Sequence, residues 1–234
     1  MSLKSLLARP FRSSGATNRA VVLGFLRPLT GRILELGPAA VPFLDHLPGI
    51  AADDKWVIEF PEAMAYCRAK GYRCLEQDLG RERWNLDDGS VDVVVSSQVL
   101  EHIPDTDHIM LETRRVLKPG GHVLVSVPNQ TALAYVVMML LTINPPMNMV
   151  SDYYHGLGNP FSSRRLLRSA PPAVKAHGHL RLFGMRAMLD LMKVYGFEII
   201  RKHGVTWGLP LVGRALARVW PYYGLFTVVL ARKQ

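Results

Sequence analysis

Cysteine is scarce in this chain: it has two cysteines, Cys67 and Cys74, among 234 residues. Two cysteines do not make the dense disulfide framework of small secreted domains, and their spacing does not match a zinc-binding motif. We therefore interpret both as ordinary thiols of a reducing compartment, which favours a cytoplasmic location. The sequence also has no apparent internal repeat or low-complexity tract, and its length is typical of one domain.

Long hydrophobic runs are missing as well. The longest run, residues 131–143, is too short to cross a bilayer as a helix, and the N-terminal region has no continuous apolar core of a signal peptide. Hydrophobic residues nevertheless make up 49% of the chain. We expect them to form a substantial core in a globular protein.

Acidic residues are absent before Glu35 and rare after Glu112. Residues 35–112 hold 16 of the 19 acidic residues but only six of the 28 basic ones. The remaining parts of the chain, including residues 1–30, which we predict to be a basic helical segment, should form an electropositive surface suited to anionic lipid, nucleic acid or an acidic substrate. A solvated basic face without a partner is the alternative.

A strand, a helix and a second strand are predicted between Asp87 and Asn129. Residues 91–96 form an almost unbroken apolar, β-branched run typical of a strand buried on both faces of a parallel sheet. Residues 109–117 have helical spacing, with Glu112, Arg114 and Arg115 largely on the outer side. Proline and glycine at 119–121 end this helix, and residues 122–127 resume as a strand.

Polar residues gather where the first of these strands ends. They are Ser96, Ser97, Gln98, Glu101 and His102. Open α/β sheets bind their ligands outside the carboxyl ends of the strands. We therefore expect a ligand site on this loop.

The motifs VLEHI at 99–103 and RVLKPGG at 115–121 resemble those of class I S-adenosylmethionine-dependent methyltransferases. The resemblance covers residues 31–129 and, less closely, 177–233. It implies a Rossmann-like, seven-stranded, mostly parallel sheet of order 3-2-1-4-5-7-6, with helices on both faces and a helical insertion after the fifth strand. Residues 31–234 would form the methyltransferase domain, and residues 130–176 the insertion.

The same resemblance implies S-adenosylmethionine as cofactor and places its contacts at successive strand ends. In the turn ELGPAAV at 35–41, Glu35 and Gly37 match the family, whereas Ala39 and Val41 stand where it has further glycines. Valine is bulky and stiff at such a position. We expect a functional variant of this turn, and residues 41–47 are predicted to start the helix that follows it. A noncatalytic protein of the same fold is the alternative.

The remaining cofactor contacts follow in the family's order. Glu59 ends the second strand and would accept hydrogen bonds from the ribose hydroxyls, as in dinucleotide-binding folds. Asp78 would accept from the adenine amine, and apolar neighbours would sandwich the ring. The full predicted set is Glu35, Gly37, Ala39, Glu59, Phe60, Asp78, Leu79 and Ser97.

His102 is the leading catalytic candidate, because an imidazole is well matched to proton removal near neutral pH. It is predicted to act as general base or to contact the substrate, although a purely structural role is the alternative. Glu101 is interpreted as a cap or an orienting partner. The insertion adds three further candidates, Tyr153, Tyr154 and His155.

The insertion joins an apolar segment, residues 132–143, to a stretch rich in aromatic and basic residues. Such a segment could cover a hydrophobic, anionic substrate or dock on an anionic membrane surface. A core helix with a polar connector is the alternative.

A narrower resemblance, to ubiquinone-biosynthesis O-methyltransferases, rests on VLEHIPD and LKPGG. Those enzymes carry a metal-associated E-x-x-E-H, whereas Gln98 replaces its first carboxylate here. We therefore predict no metal. The resemblance itself implies a methyltransferase that acts at oxygen on a small lipophilic acceptor. The alternatives are an N- or C-methyltransferase of a small molecule or lipid, and an RNA methyltransferase, which the lack of a nucleic-acid recognition module disfavours.

Overall fold

The computed structural model describes residues 3–38, 41–59, 64–151, 157–160, 178–205 and 220–234, with side chains from residue 15 onward. Seven strands form one sheet in the order β3-β2-β1-β4-β5-β7-β6. Strand β7 is antiparallel to β5 and β6, while β1 to β5 pair in parallel. The predicted fold class is confirmed. The strands are β1 Ile33–Leu36, β2 Lys55–Glu59, β3 Arg73–Glu76, β4 Val91–Ser97, β5 Leu117–Pro128, β6 Phe197–Val205 and β7 Phe226–Lys233.

Helices cover both faces of this sheet. They are α1 Leu3–Leu26, α2 Met64–Ala69, α3 Thr106–Val116, α4 Leu133–Leu140 and α5 Met185–Val194. Helices α3 and α5 bury their apolar sides in one core, and α1 and α2 bury theirs in the core of the other face. Because the central strands β4 and β5 are buried on both faces, most of their buried side chains are apolar.

Helix α1 is part of the core as well as a carrier of basic residues. Its last two turns bury Val22, Phe25 and Leu26 against the sheet. Asn18 is also buried and accepts a hydrogen bond of 2.9 Å from the Ser126 hydroxyl of β5. The N-terminal helix is therefore joined to the strand that borders the candidate site.

Helix α3 carries charged residues that are less exposed than we predicted. Glu112 is buried, accepts a hydrogen bond from the backbone N–H of Trp84 and pairs with Arg115. These contacts hold the pKa of Glu112 below its ordinary value, because Arg115 and the Trp84 amide outweigh the opposing effect of burial. The sequence pattern did not show that this side of the helix supports the loop before β4.

The connection after β1 also differs from the prediction. We expected residues 41–47 to start a helix, but the structure has only one 3₁₀ turn there, Phe43–His46. Pro42 precedes it in an extended conformation. The connection therefore stays short, and its backbone lies close to the end of β1.

Helix α4 exposes part of its apolar surface. Leu133, Val137, Leu140 and the adjoining Leu141 are all exposed, Leu140 to 78%. Its other side buries Tyr135 in a small cluster with Ala132, Met147 and Leu225. In the part of the chain that the structure describes, no helix has both the length and the apolar character needed to cross a bilayer.

Candidate functional site

The loops after β1, β2 and β4 meet at Gly37. Its backbone has φ +56°, and its N–H donates a 2.9 Å hydrogen bond to the carbonyl of Ile58. A Cβ atom at this position would lie 2.9 Å from Val99 Cγ2 and 3.8 Å from Glu59 Oε2. Only glycine fits without strain. The predicted cofactor residues Gly37 and Glu59 are therefore neighbours in the structure.

The loop after β3 closes the same edge of the sheet. Asp78 Oδ1 accepts a 2.9 Å hydrogen bond from the N–H of Gly80. A Cβ on Gly80 would lie 3.0 Å from Ile103 Cγ2, so this loop packs against the loop after β4. Leu79 is buried in the core beneath it. Asp78 and Leu79 thus border the cleft edge that Glu59 and Gly37 share.

The turn after β1 is held from both sides by polar contacts. Both carboxylate oxygens of the buried Glu35 accept hydrogen bonds, from the N–H groups of Phe43 at 3.0 Å and Leu44 at 3.2 Å. On the outside, Arg19 of α1 donates to the carbonyls of Val41 and Pro42. These contacts favour a positioning role for Glu35, in which it shapes the turn rather than touching a cofactor.

Burial raises the pKa of Glu35 to about 7, although the Phe43 and Leu44 amides oppose the shift. Val41, which stands at a position where the family has glycine, is half exposed. Its side chain therefore projects towards solvent. Ala39 lies outside the described residues, so its part in the turn stays a prediction.

The end of β4 has an unusual backbone. Ser97 is its last residue, and Gln98 follows with φ +60°, a conformation that costs free energy for a residue with a Cβ. The Gln98 N–H donates to the carbonyl of Ser126, and its amide Nε2 lies 3.4 Å from the Ser126 hydroxyl oxygen. The Gln98 side chain therefore points to β5 and α1.

A buried carboxyl group and two imidazoles come together beyond Gln98. Glu101, His102 and His179 each offer one ligand atom, and these atoms lie within 4.8 Å of one another. The ring centroids of His102 and His179 are 5.0 Å apart, with the rings inclined at 65°. The structure therefore places His102, our predicted base, beside two further groups that can bind a proton or a metal ion.

Glu101 is only 1% exposed, and neither of its carboxylate oxygens has a hydrogen-bond partner among the described residues. This burial raises the pKa of its carboxyl group to about 8. The Glu101 carbonyl accepts hydrogen bonds from the N–H groups of Leu180 at 2.7 Å and Arg181 at 3.1 Å. The loop after β4 is thereby joined to the segment that precedes α5.

His179 is a site residue that the sequence analysis did not identify. It lies far from the VLEHI motif along the chain, in the segment 177–233 that resembles the family less closely. The one signal was the H-x-R-x-F pattern of His179, Arg181 and Phe183, which is similar to a segment of the family. Phe60, Tyr153, Tyr154 and His155 lie outside the described residues, and their assignments stay predictions.

Comparisons with known proteins agree with this architecture. The model of a methyltransferase-domain family, Methyltransf_23, matches residues 11–202. A solved S-adenosylmethionine-dependent methyltransferase of Mesorhizobium loti covers 92% of this chain and 98% of its own, with a TM-score of 0.60 and 19% identity. A solved Thermotoga maritima protein, described as a possible histamine N-methyltransferase, has a TM-score of 0.58 and 18% identity over 99% and 96% of the two chains.

Similarity to curated relatives is local. A ubiquinone biosynthesis O-methyltransferase of Cupriavidus pinatubonensis is 42% identical over 52 residues, 22% of this chain and 21% of the relative. A probable S-adenosylmethionine-dependent methyltransferase of Mycolicibacterium smegmatis is 56% identical over 74 residues, 31% of this chain and 29% of the relative. The chain thus spans less than a third of the length of either relative. From the family match over most of its length and from its sheet order, the chain belongs to the class I S-adenosylmethionine-dependent methyltransferase family.

Proposed function

We propose that this chain transfers the methyl group of S-adenosylmethionine to an oxygen atom of a small lipophilic acceptor. The observation that carries the proposal is the meeting of the Gly37 turn, the Glu59 carboxylate and the loop bearing His102 at one edge of the sheet. Ligands of open α/β sheets bind at this edge. The cofactor and the acceptor would therefore meet between the β1 and β4 loops.

Each part of the cleft has a separate task in this proposal. Gly37 lets the backbone approach the methionine portion of the cofactor, Glu59 accepts from the ribose hydroxyls, and Asp78 accepts from the adenine amine. Ser97 lies at the end of β4, next to the place proposed for the methyl group. Glu35 acts indirectly, by holding the Phe43–His46 turn.

Methyl transfer requires little covalent chemistry from the protein. The acceptor oxygen attacks the sulfonium methyl carbon, the carbon–sulfur bond breaks, and S-adenosylhomocysteine leaves with the bonding electron pair. The protein must align the two reactants and accept the hydroxyl proton. In the proposed site His102 serves the second need by taking the proton itself; contact with the acceptor, its alternative role, would serve the first.

Two observations support a lipophilic acceptor that is methylated at oxygen. Helix α4 follows β5 directly, at the cleft edge of the sheet, and part of its apolar surface is exposed. The local relative from Cupriavidus pinatubonensis carries the name ubiquinone biosynthesis O-methyltransferase. We infer the lipophilic class of the acceptor from these two observations together, without assigning quinone chemistry to this chain.

Cofactor binding tests the proposal directly. We expect S-adenosylmethionine to bind in a calorimetric titration and Glu59→Ala to weaken its affinity about 10- to 100-fold, since each hydrogen bond to a charged group contributes roughly 1.5–3 kcal/mol. Glu82→Ala is the control, because this carboxylate is exposed on the loop after β3. Absence of heat with millimolar cofactor would contradict the enzyme proposal, and equal affinities of the two variants would contradict the role of Glu59.

We also propose that α4 brings the protein to anionic membrane surfaces that hold such an acceptor. Leu140 and Leu141 are 78% and 62% exposed, and the chain outside residues 35–112 is strongly basic. Apolar side chains of a basic protein can bind the interface of anionic bilayers, since the charge attracts the lipid surface and the apolar groups insert into it. The location would then be cytoplasmic with peripheral membrane contact.

Sedimentation with vesicles measures this membrane contact. We expect retention on phosphatidylglycerol vesicles and weaker retention on phosphatidylcholine vesicles. The double variant Leu140→Asp/Leu141→Asp should bind at least about tenfold more weakly, because it loses two leucines that would insert into the bilayer interface. Leu111→Asp is the matched control, since Leu111 is an exposed leucine on α3. The membrane proposal fails if the intact protein stays in the supernatant or if the double variant sediments normally.

A further inference from the structure

We propose that Arg186 and Lys202 bind an anionic group of the methyl acceptor, a phosphate or a carboxylate, beside the ring of Tyr222. The inference deepens the proposed function, because it adds a negative charge to the lipophilic acceptor. It rests on that function only for the identity of the ligand. The anion site itself can be tested without cofactor, acceptor or methyl transfer.

Two cationic side chains approach Tyr222 from different elements, α5 and β6. The Lys202 ammonium group donates a 2.7 Å hydrogen bond to the Tyr222 hydroxyl oxygen and lies 4.9 Å from the centroid of its ring. The guanidinium carbon of Arg186 lies 5.3 Å from the same centroid. The hydrogen bond from Lys202 and the positive charges around the ring hold the pKa of the Tyr222 phenol below its ordinary value. The surroundings of this ring therefore favour negative charge.

No carboxylate balances the two cations in the part of the chain that the structure describes. Neither Arg186 nor Lys202 forms an ion pair there, and Asp190, one turn further along α5, does not pair with Arg186. Both residues are exposed, so a ligand from solvent can reach them. Arginine binds phosphate and carboxylate oxygens in a bidentate manner, and lysine adds a point charge. A bound anion would balance both cations.

Lys70 and Tyr66 show the same kind of contact with its charge balanced. Lys70 lies 5.4 Å from the centroid of the Tyr66 ring, and the Tyr66 hydroxyl donates to the Asp45 carboxylate. This hydrogen bond raises the pKa of Tyr66, whereas the pKa of Tyr222 is lowered. Tyr222 has no such carboxylate among the described residues. A bound ligand would take its place.

Tyr222 lies at the cleft edge of the sheet. Asn129, the first residue after β5, is fully buried, and its side-chain amide donates to the carbonyl oxygens of Tyr222 and Gly224, both at 2.7 Å. The turn Pro221–Tyr223 is therefore fixed beyond the carboxyl end of β5. The proposed cofactor residues follow β1, β2 and β3, at the other half of this edge. The half beyond β5 is left for the acceptor.

One short segment connects the anion site to the loop that carries His102. Leu180 donates to the carbonyl of Glu101, the neighbour of His102, and Phe183 pairs with the residue that follows β5. Residues 180–186 span at most about 22 Å, since an extended chain advances no more than about 3.6 Å per residue. An acceptor whose hydroxyl and anionic group are no further apart than this can reach both His102 and Arg186.

Calorimetric titration of the intact protein with hexyl phosphate tests the anion site. We expect saturable binding that weakens with salt, and much weaker binding of hexanol, which has the same chain without the charge. Arg186→Gln/Lys202→Gln should bind hexyl phosphate at least about fivefold more weakly, because both cations are lost. Lys70→Gln/Arg73→Gln is the charge-matched control at the other edge of the sheet, and it should bind like the wild type.

Tyr222 reports whether the phosphate binds beside it. The difference in ultraviolet absorbance between wild type and Tyr222→Phe, followed with pH, isolates the ionisation of the Tyr222 phenol. A bound phosphate should raise the pKa of this phenol, because its charge opposes that of the phenolate. An unchanged pKa in saturating hexyl phosphate, equal affinities of the two double variants, or no saturable binding would each overturn the inference. The absorbance measurement leaves both cations in place, so it tests the site even where the double variant misfolds.

Vesicle sedimentation distinguishes an acceptor from a lipid headgroup as the source of the anion. Loss of retention on phosphatidylglycerol vesicles by Arg186→Gln/Lys202→Gln, with full retention of Lys70→Gln/Arg73→Gln, would assign the site to a headgroup and overturn its assignment to the acceptor. Equal retention of the two double variants supports that assignment. S-adenosylmethionine binding without hexyl phosphate binding would refute the anion site and leave the proposed function standing, whereas the reverse result would refute the proposed function alone.

Discussion

His102→Ala is expected to lower kcat on a hydroxyl acceptor about 10²- to 10⁴-fold, the usual contribution of a positioned proton acceptor. The loss is expected because the hydroxyl must lose its proton as it attacks the sulfonium methyl carbon, and His102 is the proposed acceptor of that proton. S-adenosylmethionine affinity should change little, because His102 lies on the 3₁₀ turn after β4 and not on the Gly37 turn. Initial rates on an identified acceptor and calorimetry of the cofactor measure the two effects separately.

His108→Ala provides the comparison for this variant. His108 lies on α3 and contacts the backbone carbonyl of Glu82 at 2.9 Å, on the outside of the domain. A small effect of His108→Ala beside a large effect of His102→Ala would assign the loss to the cleft. Undiminished turnover of His102→Ala would remove this histidine from the chemistry and leave it a structural role.

Glu35 is expected to make the protein less stable as the pH rises from about 5 to about 7. Burial raises its pKa from 4.5 to about 7 in the folded state. Within this interval the folded protein keeps a proton that the unfolded chain has released, so the free energy of unfolding falls with rising pH, in total by about 3 kcal/mol. Below the interval both states are protonated, and above it both are ionised.

Denaturant unfolding at a series of pH values measures this dependence. Glu35→Gln has no proton to release at this position. The difference in the free energy of unfolding between wild type and variant should therefore contain the whole pH-dependent decrease. Glu82→Gln serves as the control, because it changes an exposed carboxylate and should follow the wild type. Parallel wild-type and Glu35→Gln curves would show that the Phe43 and Leu44 amides already stabilise the ionised form.

The parallel strands could be predicted because the residues of each strand by themselves show the apolar pattern of a buried strand. Residues 91–96 are apolar except for Asp92 and Ser96, and the structure places β4 at Val91–Ser97, in the centre of the sheet. Gly37 likewise predicted a turn, and its backbone has φ +56° in the structure. Periodicity and glycine placement are local properties, so a single sequence is enough to interpret them.

Three features could not be predicted because they depend on tertiary contacts that the local sequence pattern does not show. His179 joins Glu101 only once the segment after the insertion returns to the cleft. Residues 43–46 form a 3₁₀ turn, not a longer helix, where Glu35 accepts from two of its backbone amides. Helix α1 appeared only basic, since the buried apolar residues among its described side chains, Val22, Phe25 and Leu26, lie near its end.

The hydrogen bonds from Gln98 to Ser126 and from Ser126 to Asn18 affect how shortened versions of this protein should be interpreted. Gln98 keeps an unfavourable backbone conformation, which costs roughly 1–2 kcal/mol and persists only while its neighbours hold it. Trimming the basic N-terminal helix beyond Asn18 would remove the hydrogen-bond partner of Ser126, the residue to which Gln98 is bound. A fall in activity after such trimming would then report a relaxed cleft loop, and it would not by itself show that the helix binds a substrate or a membrane.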